Sequence, residues 1–335
     1  MLLCSVLSAI KYRIQFKILR FSPMITLSFN NSKMSPIRAI LALIIVLGHL
    51  SFFGVETFMP LRNLAPPAVA MFLFISGYGL TRSFEKKGET YLDGFFRKRI
   101  VKILFPAVLV AGLHYLLCGR VGSGLVERLQ RVVTGGSTFL PHYWFVWAIA
   151  FDYLLFWVCH KLLPGQVAKY SVLTGVILFT LGTALAGFDR CWWVCSLAFP
   201  AGVFFAEYET PLFSFCSKKE VHYWLTITFL ALAFAACYLT RNPVIWTLCY
   251  VFVPIIGALI IARIPLDRFR LRVLCFVGTV SYEIYLIHIT IMSLLRGNNV
   301  YLSSDLLFVA AALCITIGTA YGIHFLDRII TPKTN

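Results

Sequence analysis

Residues 37–55 read IRAILALIIVLGHLSFFGV, and Arg38 is the only formally charged side chain among them. A transmembrane helix needs roughly 20 mostly apolar residues to cross about 30 Å of hydrocarbon. This stretch meets that length, so it predicts a helix that spans a membrane.

Nine more stretches of similar character follow, and together they predict an all-α, polytopic membrane protein with about ten transmembrane helices. The second stretch is short and contains Gly77 and Gly79, so a re-entrant hairpin is the alternative there. The predicted spans are 37–55, 67–82, 100–118, 143–162, 170–187, 191–207, 222–240, 244–262, 273–295 and 306–326.

The composition of the 335-residue chain agrees, because 59% of its residues are hydrophobic and only 13% are charged. A soluble globular protein carries roughly 25% charged residues, so this composition excludes a disordered chain and opposes an ordinary soluble fold. The net charge of +16 is also typical of proteins that bind nucleic acid. Apolar segments separate the charges here, however, and we expect no nucleic-acid partner.

The positions of Lys and Arg predict the orientation of the helices, because these residues collect on the cytoplasmic side of a membrane. With the N-terminus inside, 23 of the 30 cations fall in inside segments and seven in outside loops. The seven are Arg62, Arg120, Arg128, Arg131, Arg190, Arg241 and Arg296. This contrast predicts that both termini are cytoplasmic.

We divide the chain into an N-terminal basic segment at 1–34, a transmembrane domain at 35–330 and a cytoplasmic tail at 331–335. Residues 1–33 carry five cations and no acid, and their apolar stretch comes before the charges, unlike that of a signal peptide. Two interpretations of this segment stay open. It is an interfacial amphipathic helix, or the start codon is wrongly chosen, since Met24 and Met34 follow.

Arg38 and His49 form the most informative polar pair, because ionisable groups are costly inside a membrane. Eleven helical steps of 100° make three turns plus 20°, so both side chains share one face, about 16 Å apart. His49 then lies near the midplane, where its imidazole can accept a proton at neutral pH. The alternative is a snorkelling arginine and a histidine bonded to a neighbouring carbonyl.

A basic cluster precedes the third span. It consists of Arg97, Lys98, Arg99 and Lys102. Positive-inside bias alone explains such a cluster. Its functional interpretation is a docking site for a multiply phosphorylated cytoplasmic ligand, because Arg99 and Lys102 are three apart and share a helix face.

The ninth span carries a polar stripe. Ser281, Tyr285 and His288 fall at i, i+4 and i+7 on one face, where they either join helices or line a cavity. Glu283 points to a different face.

Four other positions also have two interpretations each. Ser76 either binds a carbonyl group or bonds within its own helix. Trp144 either lies at a substrate mouth or anchors an aromatic belt. Cys191 and Cys195 either pair or stay free, and we favour free thiols. The cysteines lack zinc-ligand spacing, so we expect no metal.

In chain order, these motifs resemble those of the acyltransferase-3 family, integral-membrane acyltransferases that O-acetylate bacterial surface polysaccharides and related glycans. They cover about residues 35–330. Lys102 departs from the family pattern, in which a second arginine stands, and this weakens bidentate phosphate contacts. The matching elements are Arg38-x10-His49, Phe74-Ile-Ser-Gly-Tyr78, Arg99-Ile-Val-Lys102 with Pro106, Tyr143-Trp144-Phe145, and Ser281…Tyr285-Leu-Ile-His288.

The resemblance implies an O-acyltransferase of the cytoplasmic (inner) membrane that uses cytoplasmic acyl-CoA, usually acetyl-CoA. The acceptor would be a hydroxyl of a cell-surface or lipid-linked glycan. The catalytic residues would be His49 and Arg38, with His49 as general base or transient acyl carrier. The donor-binding residues would be Arg99, Lys102 and Arg97. The substrate or oxyanion candidates are Ser76, Tyr285, His288, Ser281 and Trp144.

Two other functions fit parts of the pattern. A transporter or flippase of a lipid-linked sugar would also have ten spans and polar groups at the midplane, but such proteins often carry internal repeats, and we find none. A scaffold without chemistry would not need His49 aligned with Arg38, because ionisable side chains inside a membrane destabilise the protein.

Overall fold

The computed structural model describes residues 27, 29, 31–118, 142–264, 271–297 and 300–330. Residues 1–26, 28 and 30 of the predicted basic segment 1–34 lie outside these residues, as do the predicted tail 331–335 and Arg120, Arg128 and Arg131. The described residues form helices and no strand, with one isolated bridge between Arg296 and Tyr301.

We number the α-helices of the described ranges in chain order, and a π-helical turn at Phe96–Ile100 leads into the fourth. The helices are α1 Asn31–Leu50, α2 Met59–Arg62, α3 Ala65–Lys87, α4 Val101–Leu117, α5 Trp144–Leu162, α6 Gly165–Leu185, α7 Ala198–Lys218, α8 Glu220–Leu239, α9 Trp246–Arg263, α10 Arg272–Thr279, α11 Ser281–Leu295 and α12 Asp305–Ile330.

Within the described residues, seven helices are long and apolar enough to cross a membrane, and two bent pairs raise this to nine if each is one span. The protein is therefore a helical, multi-pass membrane protein, and the count of ten stays a prediction. The seven are Lys33–Phe53, Phe96–Leu117, Trp144–Leu162, Gly165–Leu185, Glu220–Leu239, Trp246–Arg263 and Asp305–Ile330. The pairs are Glu56–Arg62 with Ala65–Tyr91, bent by 42°, and Arg272–Thr279 with Ser281–Leu295, bent by 74°.

Three predicted spans differ from the helices observed. The second, 67–82, is a longer helix of 23 residues, and its bend lies before Ala65 rather than at the glycines. The sixth, 191–207, begins later, because a 3-10 turn and further turns precede Ala198. The resulting helix continues through Glu207 and Glu209 to Lys218, so it is not among the seven. The ninth, 273–295, is two helices.

Helices α3 and α7 cross with their backbones in direct contact. Gly77 lies against the carbonyl group of Phe199, and Gly202 lies against that of Phe74. A methyl group at either glycine would overlap the carbonyl oxygen opposite. Small residues allow helices in membranes to approach this closely, and the crossing fixes α3 against α7.

Helix α10 contacts the beginning of α1, and this contact accompanies the bend between α10 and α11. The Ser35 hydroxyl donates a hydrogen bond to the Cys275 carbonyl at 2.7 Å. Gly278 leaves room for the Ser35 carbonyl, which a methyl group would displace. The bend therefore places the first turn of α11 beside the first half of α1.

The last residues of the predicted basic segment pack against the transmembrane helices. Phe29 is buried, its ring lies 5.0 Å from that of Tyr78, and its carbonyl accepts a hydrogen bond from the Tyr78 hydroxyl at 2.8 Å. The buried ammonium of Lys33 donates to the carbonyls of Ile261 and Ala262 at 3.1 and 2.9 Å. These bonds satisfy carbonyls at the end of α9 that the helix leaves open.

We expect Gly77→Ala and Gly202→Ala each to destabilise the folded protein by roughly 1–3 kcal/mol or more, because the added methyl group must separate two packed backbones. Thermal unfolding in detergent would measure the effect. Gly79→Ala is the matched control, since nothing lies within 4 Å of a methyl group there. Equal unfolding temperatures for Gly77→Ala and Gly79→Ala would contradict the close crossing.

Candidate active site

Helix α1 places Arg38, Ile45 and His49 on one face, and two cavities open along that face. The first, here called the large cavity, has a volume of about 820 Å³ and is lined by Arg38 and Ile45. The second, here called the small cavity, has a volume of about 480 Å³ and is lined by Ile45 and His49. The predicted face of α1 is therefore the wall of both cavities.

Three buried side chains, Ile45, Val69 and Tyr285, belong to the walls of both cavities. His49 lies one helical turn beyond Ile45, and Arg38 lies seven residues before it on the other side, about 10 Å along the helix. The two cavities thus adjoin at a wall of three side chains, with His49 next to that wall.

The large cavity is more polar than the small one and carries more cations than acids. Arg38, Arg99 and Lys102 line it, and none of the three forms an ion pair with a described carboxylate. Arg38 is an exposed side chain because it faces this cavity. The other polar groups of the wall are Ser35, Ser76, Tyr153, Thr279, Ser281, Tyr282, Glu283, Tyr285, His324, Asp327 and Arg328.

The small cavity is mostly apolar and aromatic. Phe52, Phe53 and Trp144 contribute rings to its wall. Cys191 and Cys195 also line it, and both are free thiols. The remaining polar or charged side chains of the wall are His49, Arg62, His142 and Tyr285.

His49 and His288 are joined by a hydrogen bond. The Nδ1 atom of His49 lies 2.7 Å from Nε2 of His288, and the two rings stack at a centroid distance of 5.0 Å. His288 is fully buried, whereas His49 is half-buried because it faces the small cavity.

The backbone of α11 determines which histidine donates. Nδ1 of His288 lies 2.7 Å from the Tyr285 carbonyl oxygen and 3.2 Å from that of Ile284, and carbonyl oxygens only accept hydrogen bonds. His288 must therefore carry its proton on Nδ1, and in a neutral ring Nε2 is then an acceptor. It follows that His49 donates from Nδ1, which leaves the lone pair on Nε2 of His49.

A second hydrogen bond fixes the wall between the cavities. The Tyr285 hydroxyl donates to the backbone carbonyl of His142. The Nε2 atom of His142 lies 3.1 Å from the carbonyl oxygen of Leu286. The ring centroids of His142 and His288 are 5.1 Å apart. His142, two residues before α5, and the first half of α11 are thus held together around His288.

The structure brings most of the predicted site residues to the two cavities. The predicted stripe of the ninth span divides: Ser281 lines the large cavity, Tyr285 lines both, and His288 is buried behind His49. Ser76 lines the large cavity and Trp144 the small one. These positions favour the site interpretation over the purely structural one.

Two expectations need correction. Arg97 is exposed and lines neither cavity, although Arg99 of the same π-helical turn lines the large one. Glu283, expected on a different face from the stripe, lines the same large cavity. It reaches that cavity in the first turn of α11, where its carboxylate bonds to Nδ1 of His324 at 2.7 Å.

Sequence reasoning missed two residues of the small cavity. His142 is not among the predicted site residues, yet it is 6% exposed and bonded to α11. Arg62 was counted only among the outside cations. Neither lies in a periodic helical pattern with His49, so spacing carries no signal for them. Within the described residues, no group of three or more His, Cys, Asp or Glu side chains could hold a metal ion.

Comparison with known families identifies the chain. A family model described as an acyltransferase domain matches residues 35–325, and the chain therefore belongs to the acyltransferase-3 family, as its motifs predicted. Neither the search of curated proteins nor that of solved structures returned a match.

Proposed function

We propose that this membrane acyltransferase moves an acyl group, most simply acetyl, from cytoplasmic acyl-CoA to a hydroxyl of a cell-surface or lipid-linked glycan. One observation carries the proposal. A cation-lined cavity and an aromatic-lined cavity adjoin at Ile45, Val69 and Tyr285, and His49 stands next to that junction. Two substrates could therefore approach one imidazole from opposite sides.

The large cavity suits the donor. CoA carries several phosphates, and Arg38, Arg99 and Lys102 offer cations that described carboxylates do not neutralise. The first turn of α11, at Ser281, opens into the same cavity, and the backbone N–H groups of a helix N-terminus favour anions. Because Arg97 lies outside the cavity, we assign the phosphate contacts to Arg99 and Lys102.

The small cavity suits the acceptor, and Nε2 of His49 suits a general base. In the proposed step, Nε2 takes the proton of the sugar hydroxyl while the hydroxyl oxygen bonds to the thioester carbonyl carbon. The carbon–sulfur bond then breaks, and the proton passes from Nε2 to the departing sulfur. The products are the glycan ester and free CoA thiol, and His49 returns to its starting state.

His288 has a positioning role in this proposal. Its Nε2 accepts a hydrogen bond from Nδ1 of His49, and this bond keeps the lone pair of His49 on Nε2. The same bond stabilises the imidazolium that forms, from the position that a carboxylate occupies in a catalytic triad. Tyr285 and His288 were also oxyanion candidates, but their donor groups are already bonded to carbonyls. Ser76 lies seven residues from Val69, about 10 Å along α3, so we assign it to contact with the donor.

The charge distribution supports an orientation for the two cavities. Arg38, Lys102 and Arg328 line the large cavity and come from segments predicted to be inside. Arg62 lines the small cavity and belongs to the predicted outside set. We propose that the protein lies in the inner membrane and crosses it ten times, with α7 as one of the spans. Both termini then lie in the cytoplasm, and the large cavity opens to the cytoplasm.

Loss of a phosphate contact should weaken donor binding. We expect Arg99→Gln to raise the Kd for CoA by about 10- to 100-fold, because a hydrogen bond to a charged group contributes about 1.5–3 kcal/mol. Titration of the purified protein with CoA, followed by thermal shift, measures this. Arg97→Gln is the matched control and should bind CoA like the parent. If both variants lose affinity equally, the cluster acts only through its bulk charge.

The histidine pair predicts a graded loss of acyl transfer from radiolabelled acetyl-CoA to a total glycan extract. His49→Ala should slow transfer by about 10²- to 10⁴-fold. His288→Leu should slow it by at least about 10²-fold, because Nδ1 of His49 loses its acceptor. His288→Gln, whose side-chain oxygen can still accept, should retain more activity than His288→Leu. Full transfer by His49→Ala would remove the basis of the proposed mechanism.

Adjoining cavities predict that donor and acceptor bind together, so initial-rate kinetics should show a sequential pattern. Incubation with labelled acetyl-CoA alone should leave no label on the protein. Ping-pong kinetics, with label that is retained by the parent and absent from His49→Ala, would instead favour a transient acyl-histidine.

A further inference from the structure

Arg62 is held beside His49 by two contacts. Its guanidinium lies 4.2 Å over the ring of Phe52, and that ring lies 5.5 Å from the ring of His49. Gly48 supports the arrangement from behind, because a methyl group there would come within 3.0 Å of the backbone N and Cα atoms of Arg62. The last residue of α2 is therefore packed directly against the helix turn that carries His49.

The positive charge of Arg62 has no carboxylate partner among the described residues. The described wall of the small cavity contains no Asp or Glu, and no ion pair involves Arg62 there. Three other arginines of the described chain form ion pairs with carboxylates that are distant in the sequence or lie beyond a loop. Their pairs are Arg82 with Glu209, Arg263 with Glu220, and Arg296 with Asp305.

An unpaired cation at this position has a cost during the reaction. When His49 accepts a proton its ring becomes positive, and the charge of Arg62 opposes that change. A negative group bound to Arg62 would offset the repulsion between Arg62 and protonated His49 while the acceptor hydroxyl is bound. The cost is thus offset if the acceptor itself supplies the anion.

We propose that the small cavity selects an acceptor glycan that carries a carboxylate or a phosphate near the acylated hydroxyl. Arg62 binds that anion with its planar fork, while the hydroxyl faces Nε2 of His49. The rings of Phe52 and Trp144 provide apolar faces for the sugar between the two polar contacts. This inference rests on the proposed function, because it names the acceptor of the same reaction.

The first test uses the natural acceptors in a total glycan and lipid-linked glycan extract, labelled by the full-length protein with radioactive acetyl-CoA. We expect the labelled product to be retained on an anion exchanger at neutral pH. Amidation of carboxylates in the extract before the reaction should abolish labelling if the anion is a sugar carboxylate. Mild acid, which cleaves lipid-linked sugar phosphates, should abolish it if the anion is a phosphate. Labelling that survives both treatments overturns the inference.

The second test compares Arg62→Gln with Arg241→Gln, an exposed arginine on the same predicted side that lines neither cavity. At limiting extract we expect Arg62→Gln to lower the initial rate by about 10- to 100-fold, and Arg241→Gln to leave it unchanged. Binding of CoA should be intact in both variants. An Arg62→Gln rate equal to the parent rate overturns the inference.

The outcomes separate this inference from the proposed function. A labelled product that passes the exchanger as a neutral compound would refute the anionic acceptor and leave the acyltransferase reaction standing. If Arg62 instead stabilises the thioester oxyanion, Arg62→Gln would slow transfer equally to amidated and untreated extract, and this result also overturns the inference. Absence of any labelled glycan, with CoA still bound, would refute the proposed function itself.

Discussion

A backbone carbonyl sets the direction of the hydrogen-bond chain on which the site depends. The Tyr285 carbonyl can only accept, so His288 must donate to it from Nδ1, and His49 must then donate to His288. Reversing either bond would leave a buried polar atom unsatisfied, which is costly where water is excluded. The position of the free lone pair on Nε2 of His49, in α1, is therefore determined by a backbone carbonyl of α11.

Close backbone contacts hold together the helices that carry the cavity walls. Gly77 and Gly202 bring α3 against α7, Gly278 brings α10 against Ser35, and Gly48 brings α2 against α1. In a membrane, helix association depends on packing and hydrogen bonds rather than on the hydrophobic effect. A methyl group at one of these contacts therefore shifts a wall of the site, even though no glycine takes part in the chemistry.

Helical periodicity predicted the features that depend on one helix. The shared face of Arg38 and His49 follows from residue spacing alone, and so does the stripe of α11. Features that depend on distant contacts carried no such signal. The 74° bend between α10 and α11 accompanies a hydrogen bond from Ser35 to Cys275, 240 residues away. Glu283 lines the large cavity because residues on more than one face of the first turn of α11 line it. Helical periodicity alone places Glu283 on a different face from Ser281 and Tyr285, so it predicts that Glu283 lies outside the cavity.

Under the proposed function, the wall between the cavities must keep a charged donor on one side of the membrane while the acyl group reaches the other. CoA is highly charged and must stay on its own side, whereas an acetyl group is small and neutral and costs little to bring into an apolar region. Ile45 and Val69 make the wall apolar, and Tyr285 is fixed in it by its bond to the His142 carbonyl. The same Tyr285 supplies the carbonyl that orients His288. Under the proposed mechanism, one turn of α11 therefore both closes the barrier and directs the base, so a change that opens the wall would also misalign His49.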